Sequence, residues 1–257
     1  MSELVWLFDT LREAGLRVAE VPGWKSRNAG PMGEVMGVMC HHTAGARTGN
    51  MPSLETLKQG TAAVPGPLAQ IGLGRDGTCY LVSAGRCNHA GVGVWNSVTA
   101  GNSHFIGIEA ENCGDGSDPW PAVQLEAYHH AVAAILRRVN RSVQWCVAHK
   151  EYARPPGRKI DPNFDMDAFR LQVQAALNGA PPPQPVVAAE PDGQRRETLS
   201  RGRSRGPLVE AVQRRLGLYP DGIFGPYTEA AVRRFQAEKG LDRDGIVGPL
   251  TWRALDR

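Results

Sequence analysis

The sequence predicts an α/β fold, a central mixed sheet flanked by helices, followed by a small C-terminal domain of three helices. Three observations carry that reading. Short apolar runs of strand length are interleaved with longer segments of helical period up to residue 177, the pattern of a sheet with helices packed on its faces. A stretch rich in proline and arginine then breaks all periodicity between 179 and 198, as a linker does. Beyond it, Asp221-Gly-Ile-Phe-Gly-Pro-Tyr-Thr228 returns as Asp244-Gly-Ile-Val-Gly-Pro-Leu-Thr251, displaced by 23 residues. The expected domains are therefore 1–178, a linker 179–198, and 199–257.

Taken in order, Leu4, Leu7, Phe8 and Leu11 recur at helical spacing and predict an opening amphipathic helix ending near Gly15. Residues 22–33 read as loop. The apolar run 35–42 finishes in two histidines and predicts a buried strand that delivers polar groups at its end. Segments 67–73 and 78–82 flank Arg75-Asp76-Gly77 and predict two strands joined by a turn. The run 105–110, which contains Glu109, predicts another strand, and 143–148 a last one running into His149. Ala127, Ala131 and Ile135, with Tyr128 and Val132 beside them, predict a long helix over 121–139. A helix over 164–177 closes this domain. In the C-terminal domain, a helix over 207–216 precedes the two repeat copies. Each copy is a glycine turn with a proline and a threonine near a helix start, where a fixed φ and a capping oxygen are useful.

Composition narrows the function classes. With 257 residues the chain can bury one sizeable core and one small one. No stretch approaches the roughly 20 apolar residues that span a bilayer, so membrane insertion is not expected. The first 16 residues carry Glu3, Asp9, Arg12 and Glu13 among their apolar positions, which argues against a secretory signal. Five scattered cysteines without a Cys-x-x-Cys pair predict reduced, mostly buried thiols. The net charge of +3 lies wholly in the C-terminal end, where 13 Lys/Arg face 10 Asp/Glu from residue 190 onward. A solvated linker accounts for it, and attraction to an anionic polymer is the alternative. No nucleic-acid partner is expected, and the chain is expected to be a monomer.

The polar residues at the strand ends suggest metal chemistry. A buried metal ion with an open position can activate water as a nucleophile and stabilise developing negative charge. Such sites use three protein ligands of His, Asp, Glu or Cys type. His41, His149 and Asp161 can be brought together by neighbouring strand ends, but seven histidines and many carboxylates leave other combinations open.

Four ordered motifs, Cys40-His-His-Thr-Ala-Gly45, Asn88-His-Ala-Gly91, Ile106-Gly-Ile-Glu109 and Pro156-Gly-Arg-Lys-Ile-Asp-Pro162, resemble the type 2 N-acetylmuramoyl-L-alanine amidases. That family includes phage endolysins and bacterial recycling amidases, with peptidoglycan recognition proteins as relatives. The resemblance covers about 24–177 and implies Zn2+ held by His41, His149 and Asp161. It further implies that Glu109 carries protons for the reaction, that Lys159 stabilises the developing oxyanion, and that His89 and Asn88 contact the substrate. Several relatives carry a tyrosine just before the Arg-Asp-Gly turn, where this chain reads Leu68-Ala-Gln-Ile-Gly72. Gln70 is expected to take part of that space as a substrate contact, though it cannot act as an acid. The region 199–255, including Ala230-Ala-Val-Arg-Arg-Phe-Gln236 and both repeat copies, resembles the helical peptidoglycan-binding module of wall hydrolases.

The resemblance thus implies a zinc amidase that cuts between N-acetylmuramic acid and L-alanine in peptidoglycan, its polymeric partner. A non-catalytic recognition protein and a host autolysin or recycling amidase are the alternatives; the complete ligand set argues against the first and the polymer-binding tail against the recycling role, while a host-encoded wall hydrolase stays open. The lack of a signal fits an endolysin held in the host cytoplasm until release to the wall. Among the other histidines, His42 should face away from His41 because adjacent strand residues alternate. His129 and His130 read as helix-packing or surface residues, and His104 as a loop residue.

Overall fold

A computed structural model describes residues 4–179 and 197–256. The chain divides into two compact units, 1–187 and 188–257. The predicted linker over 179–198 falls almost entirely outside the described residues.

The first unit is built on a six-stranded mixed sheet in the order β1-β4-β3-β5-β2-β6. The strands are β1 Val18–Glu20, β2 Gly37–His42, β3 Ile71–Leu73, β4 Cys79–Leu81, β5 Phe105–Ala110 and β6 Cys146–Ala148. β3 and β4 form the antiparallel pair expected on either side of the Arg75-Asp76-Gly77 turn. β2 pairs in parallel with both β5 and β6, and β5 with β3. The helices of this unit are α1 Leu7–Glu13, α2 Leu54–Gln59, α3 Gly101–His104, α4 Ala122–Arg138, α5 His149–Tyr152 and α6 Met166–Leu177.

Strand alternation divides the sheet into two faces. Val38 and Cys40 of β2, Ile106, Ile108 and Ala110 of β5 and Cys146 and Ala148 of β6 join Ala127, Ala131, Val132 and Ile135 of α4 and Phe169 and Val173 of α6 in the main core. Met39, Phe105 and Val147 belong to a second, smaller cluster with Ala90 and Tyr152. His41 and Glu109 therefore share the parity of the second face, opposite α4.

Two local expectations are corrected. The run 143–148 is strand only from Cys146; Val143–Trp145 forms a 3-10 turn. Tertiary packing accounts for the difference, because the Trp145 carbonyl lies against Gly37, where any side chain would collide with it. The expected threonine caps of the C-terminal helices are absent, since neither Gly225 nor Gly248 is followed by a side-chain cap bond.

The second unit contains α7 Pro207–Arg215, α8 Pro226–Glu238 and α9 Pro249–Leu255, each with proline in its first turn after a glycine. Leu199, Val209, Val212, Phe224, Val232, Val247 and Trp252 form its core. The repeat is a hydrogen-bond module. Gln213 Nε2 donates to Asp221 Oδ1, the Ile223 carbonyl and Thr228 Oγ1 at 2.6, 3.0 and 3.0 Å. Gln236 does the same to Asp244, Ile246 and Thr251 at 2.7, 3.0 and 3.1 Å. The repeated threonine thus serves a buried glutamine rather than a helix end.

Candidate metal centre and cleft

Register alone brings the central residues together. His41 on β2 pairs with Glu109 on β5, and Cys40 pairs with Ala148 on β6, so His149 follows directly at the next strand end, where α5 begins. Asp161 reaches the same place from the following loop, whose position is held by a bond from the Lys150 amide to the Asp161 carbonyl at 2.8 Å. Below the strand ends, the hydroxyl of Tyr128 from α4 accepts from the His41 amide at 2.9 Å and lies 2.9 Å from the Ile108 carbonyl.

Three donor atoms converge. His41 Nδ1 and His149 Nδ1 are 3.1 Å apart, and Asp161 Oδ2 is 3.0 Å from each. All three residues are buried. The outer nitrogens of both rings fix their tautomers. His149 Nε2 faces the Ala90 carbonyl at 3.0 Å, which can only accept, so Nε2 carries the proton and Nδ1 presents a lone pair. His41 Nε2 faces His89 Nδ1 at 3.1 Å, and His89 Nε2 in turn faces the Phe105 carbonyl at 3.2 Å. His89 must therefore donate from Nε2 and accept at Nδ1, which places the His41 proton on Nε2 and its lone pair on Nδ1.

Two imidazole lone pairs and a carboxylate oxygen then point at one another across 3.0–3.1 Å. Without a cation between them this is repulsive. Donors at about 2.0–2.1 Å from a tetrahedral zinc are separated by about 3.3 Å, so the donor set fits that ion. Burial pushes His41 down to about 4, which keeps its ring neutral and able to coordinate.

Glu109 Oε1 lies 3.8 Å from His41 Nδ1, and its buried Oε2 has no hydrogen-bond partner among the described residues. Burial, and then the negative charge of Asp161, hold its carboxyl well above the usual range, while Lys159 opposes them. Lys159 lies along the same cleft, of about 1070 Å³, beside Arg158 and Ile160, with Val64, Pro65 and Leu68 also in its walls. Arg158 is engaged with the backbone, donating to the Arg154 and Val92 carbonyls. Asn88 and His89 also line this cleft, and Asn88 Nδ2 donates to the Pro65 carbonyl at 3.0 Å.

Gln70 is placed elsewhere. It is wholly buried, donating from Nε2 to the Gly85 carbonyl at 3.0 Å and accepting at Oε1 from the Gly107 amide at 2.7 Å. Its amide is spent on backbone behind the site, and Leu68 is the residue of that stretch that reaches the cleft. His42 turns toward Trp120, with ring centroids 6.4 Å apart, as alternation requires. His129 packs on Phe169, and His104 Nδ1 lies 2.8 Å from the Glu34 carbonyl. Two residues went unnoticed in the sequence as parts of this centre, Asn102 and the Tyr128 hydroxyl. Asn102 Oδ1 accepts from the amides of His89 and Ala90 at 2.8 and 2.7 Å. Nothing in the spacing of either residue marks it.

Residues 31–164 match the N-acetylmuramoyl-L-alanine amidase family, and residues 205–255 match a peptidoglycan-binding domain family. Among solved structures, the chain is similar to the endolysin N-acetylmuramoyl-L-alanine amidase LysCS from Clostridium intestinale, at 17% identity over 62% of this chain and 95% of that one, with a TM-score of 0.47. It is similar at 18% identity over 90% of both chains, TM-score 0.45, to the amidase AmiD from E. coli, solved with anhydro-N-acetylmuramic acid-L-Ala-D-gamma-Glu-L-Lys. A peptidoglycan-binding protein from Clostridioides difficile is 38% identical over 24% of this chain and 41% of its own length, with a TM-score of 0.23. Comparison with curated proteins gave no match.

Proposed function

The chain belongs to the N-acetylmuramoyl-L-alanine amidase family, and from that premise we propose that it is a zinc-dependent hydrolase of the amide between N-acetylmuramic acid and L-alanine in peptidoglycan. His41, His149 and Asp161 hold the metal. When bound there, zinc supplies Lewis acidity toward the scissile carbonyl and the attacking water.

The remaining work falls to the chain's own groups. Glu109 takes the proton from the attacking water and returns it to the leaving nitrogen. Its carboxyl, held above the ordinary carboxylate range by burial, is a stronger proton acceptor than an exposed one. Lys159 opposes the charge that develops on the carbonyl oxygen, an effect strengthened where the cleft excludes water. The peptidoglycan-binding unit keeps the enzyme on its polymer and raises the local concentration of substrate. An endolysin-type role, with release from the host cytoplasm to the wall, accords with that pairing of units.

The observation that carries this reading is the convergence of three lone-pair atoms at 3.0–3.1 Å beside Glu109, whose Oε2 has no hydrogen-bond partner among the described residues. Digestion of purified walls by zinc-loaded, chelator-stripped and zinc-restored protein tests it. New L-alanine amino termini should appear, vanish and return in that order. A zinc-loaded protein that releases none is a binding protein, and the proposal fails.

A further inference from the structure

The Asn88-His-Ala-Gly91 segment lines the cleft, where a substrate contact was expected, yet the His89 imidazole and the Ala90 carbonyl face the two candidate metal-binding rings. We propose that residues 89 and 90 form a positioning element for those rings, His89 orienting His41 through its imidazole and Ala90 orienting His149 through its carbonyl. The inference rests on the metal reading above.

Four observations support it. His41 Nε2 meets His89 Nδ1 at 3.1 Å, with the two rings at 89° and their centroids 5.1 Å apart. His149 Nε2 meets the Ala90 carbonyl at 3.0 Å, so consecutive residues serve both histidines. The far side of each of these two residues is fixed. His89 Nε2 is held by the Phe105 carbonyl at 3.2 Å, and the His89 and Ala90 amides by the single Asn102 side chain. Finally, the His89 ring lies directly on the β5 backbone at Gly107, where an added Cβ would stand 2.9 Å from His89 Cγ. Glycine at 107 leaves the ring its place.

A ligand histidine held at its outer nitrogen cannot turn its lone pair away or change tautomer. Loss of such an orienting partner typically weakens metal binding by about 10–100-fold. This is an effect on the metal, not on substrate, so it is read without turnover.

The test compares the full-length protein with H89Q, H89N and H89A by competition for Zn2+ against a chromophoric chelator, and by the visible spectrum of the Co2+-loaded forms. Asparagine puts an amide oxygen near the place of Nδ1, keeping the acceptor for His41. Glutamine reaches the place of Nε2 and leaves Nδ1 empty. H89Q and H89A should bind Zn2+ at least about 10-fold more weakly than wild type, and H89N at least about fivefold more tightly than H89Q. The Co2+ bands should move in H89Q more than in H89N. Should H89A fail to fold, H89Q against H89N decides alone.

Any other order of affinities overturns the proposal. So does a fall in the melting temperature of metal-free H89Q with Zn2+ affinity unchanged, the mark of packing alone. Wild-type protein that does not bind Zn2+ with His41 and His149 would instead defeat the metal reading itself.

Discussion

Tyr128→Phe isolates one oxygen atom beneath the candidate centre. The ring packs edge-on against Phe164 and Phe169, at centroid distances of 6.1 and 5.1 Å, and phenylalanine keeps both contacts. Only the hydroxyl is lost. That hydroxyl accepts from the His41 amide at 2.9 Å and has the Ile108 and His41 carbonyls at 2.9 and 3.1 Å for its single proton. His41 is 1% exposed, so no water can replace the lost acceptor. The His41 amide keeps its ladder pairing with β5, so the change removes the accepted and the donated bond at about 1 kcal/mol each. The expected loss is about 2 kcal/mol, which lowers the melting temperature of a unit of this size by roughly 4–8 °C. Calorimetry of the metal-free full chain measures it, since bound metal would mask part of the change. The transition of the smaller unit serves as an internal reference and should not move. A fall of less than about 3 °C in the larger unit would refute the claim that this oxygen satisfies the strand end.

Glu109→Gln keeps the size of the proposed proton carrier and removes its basicity. Turnover of soluble muropeptides should fall by about 10²–10⁴-fold while Zn2+ affinity stays within about threefold; activity within tenfold of wild type would assign the proton transfers elsewhere. Gln236→Ala strips the second repeat of its hub, leaving the Gly245 amide, bonded to Gln236 Oε1 at 2.9 Å, without an acceptor. It should destabilise the C-terminal unit by about 2–4 kcal/mol and reduce retention on insoluble walls, with hydrolysis of soluble fragments preserved. An unchanged calorimetric transition for that unit would show that the glutamine network contributes little.

Much of the candidate centre was legible in the sequence. An apolar run ending in histidines marks a strand that presents polar groups at its tip, and two such runs bring His41 and His149 to adjacent strand ends. Alternation separated His41 from His42 correctly, because parity along a strand is a local property. Gln70 shows where that reasoning ends. It lies just before β3, yet its amide is consumed by the Gly85 and Gly107 backbone, and a side chain's partners 15 and 37 residues away cannot be read from spacing. The 3-10 turn at Val143–Trp145 was hidden for a similar reason, since an apolar run is common to both conformations and the carbonyl packed on Gly37 decided between them.

By itself, the sequence determined the α/β class and the separate repeat-built unit, which follow from local periodicity and the repeat, and through the resemblance of its four ordered motifs it named three candidate donors. Only the tertiary structure decided the tautomers of those donors and the residues that hold them. Tyr128, His89, Ala90 and Asn102 act through hydrogen bonds that join residues 12 to 87 positions apart. Such bonds depend on where folding brings a donor and an acceptor together. No local pattern records that.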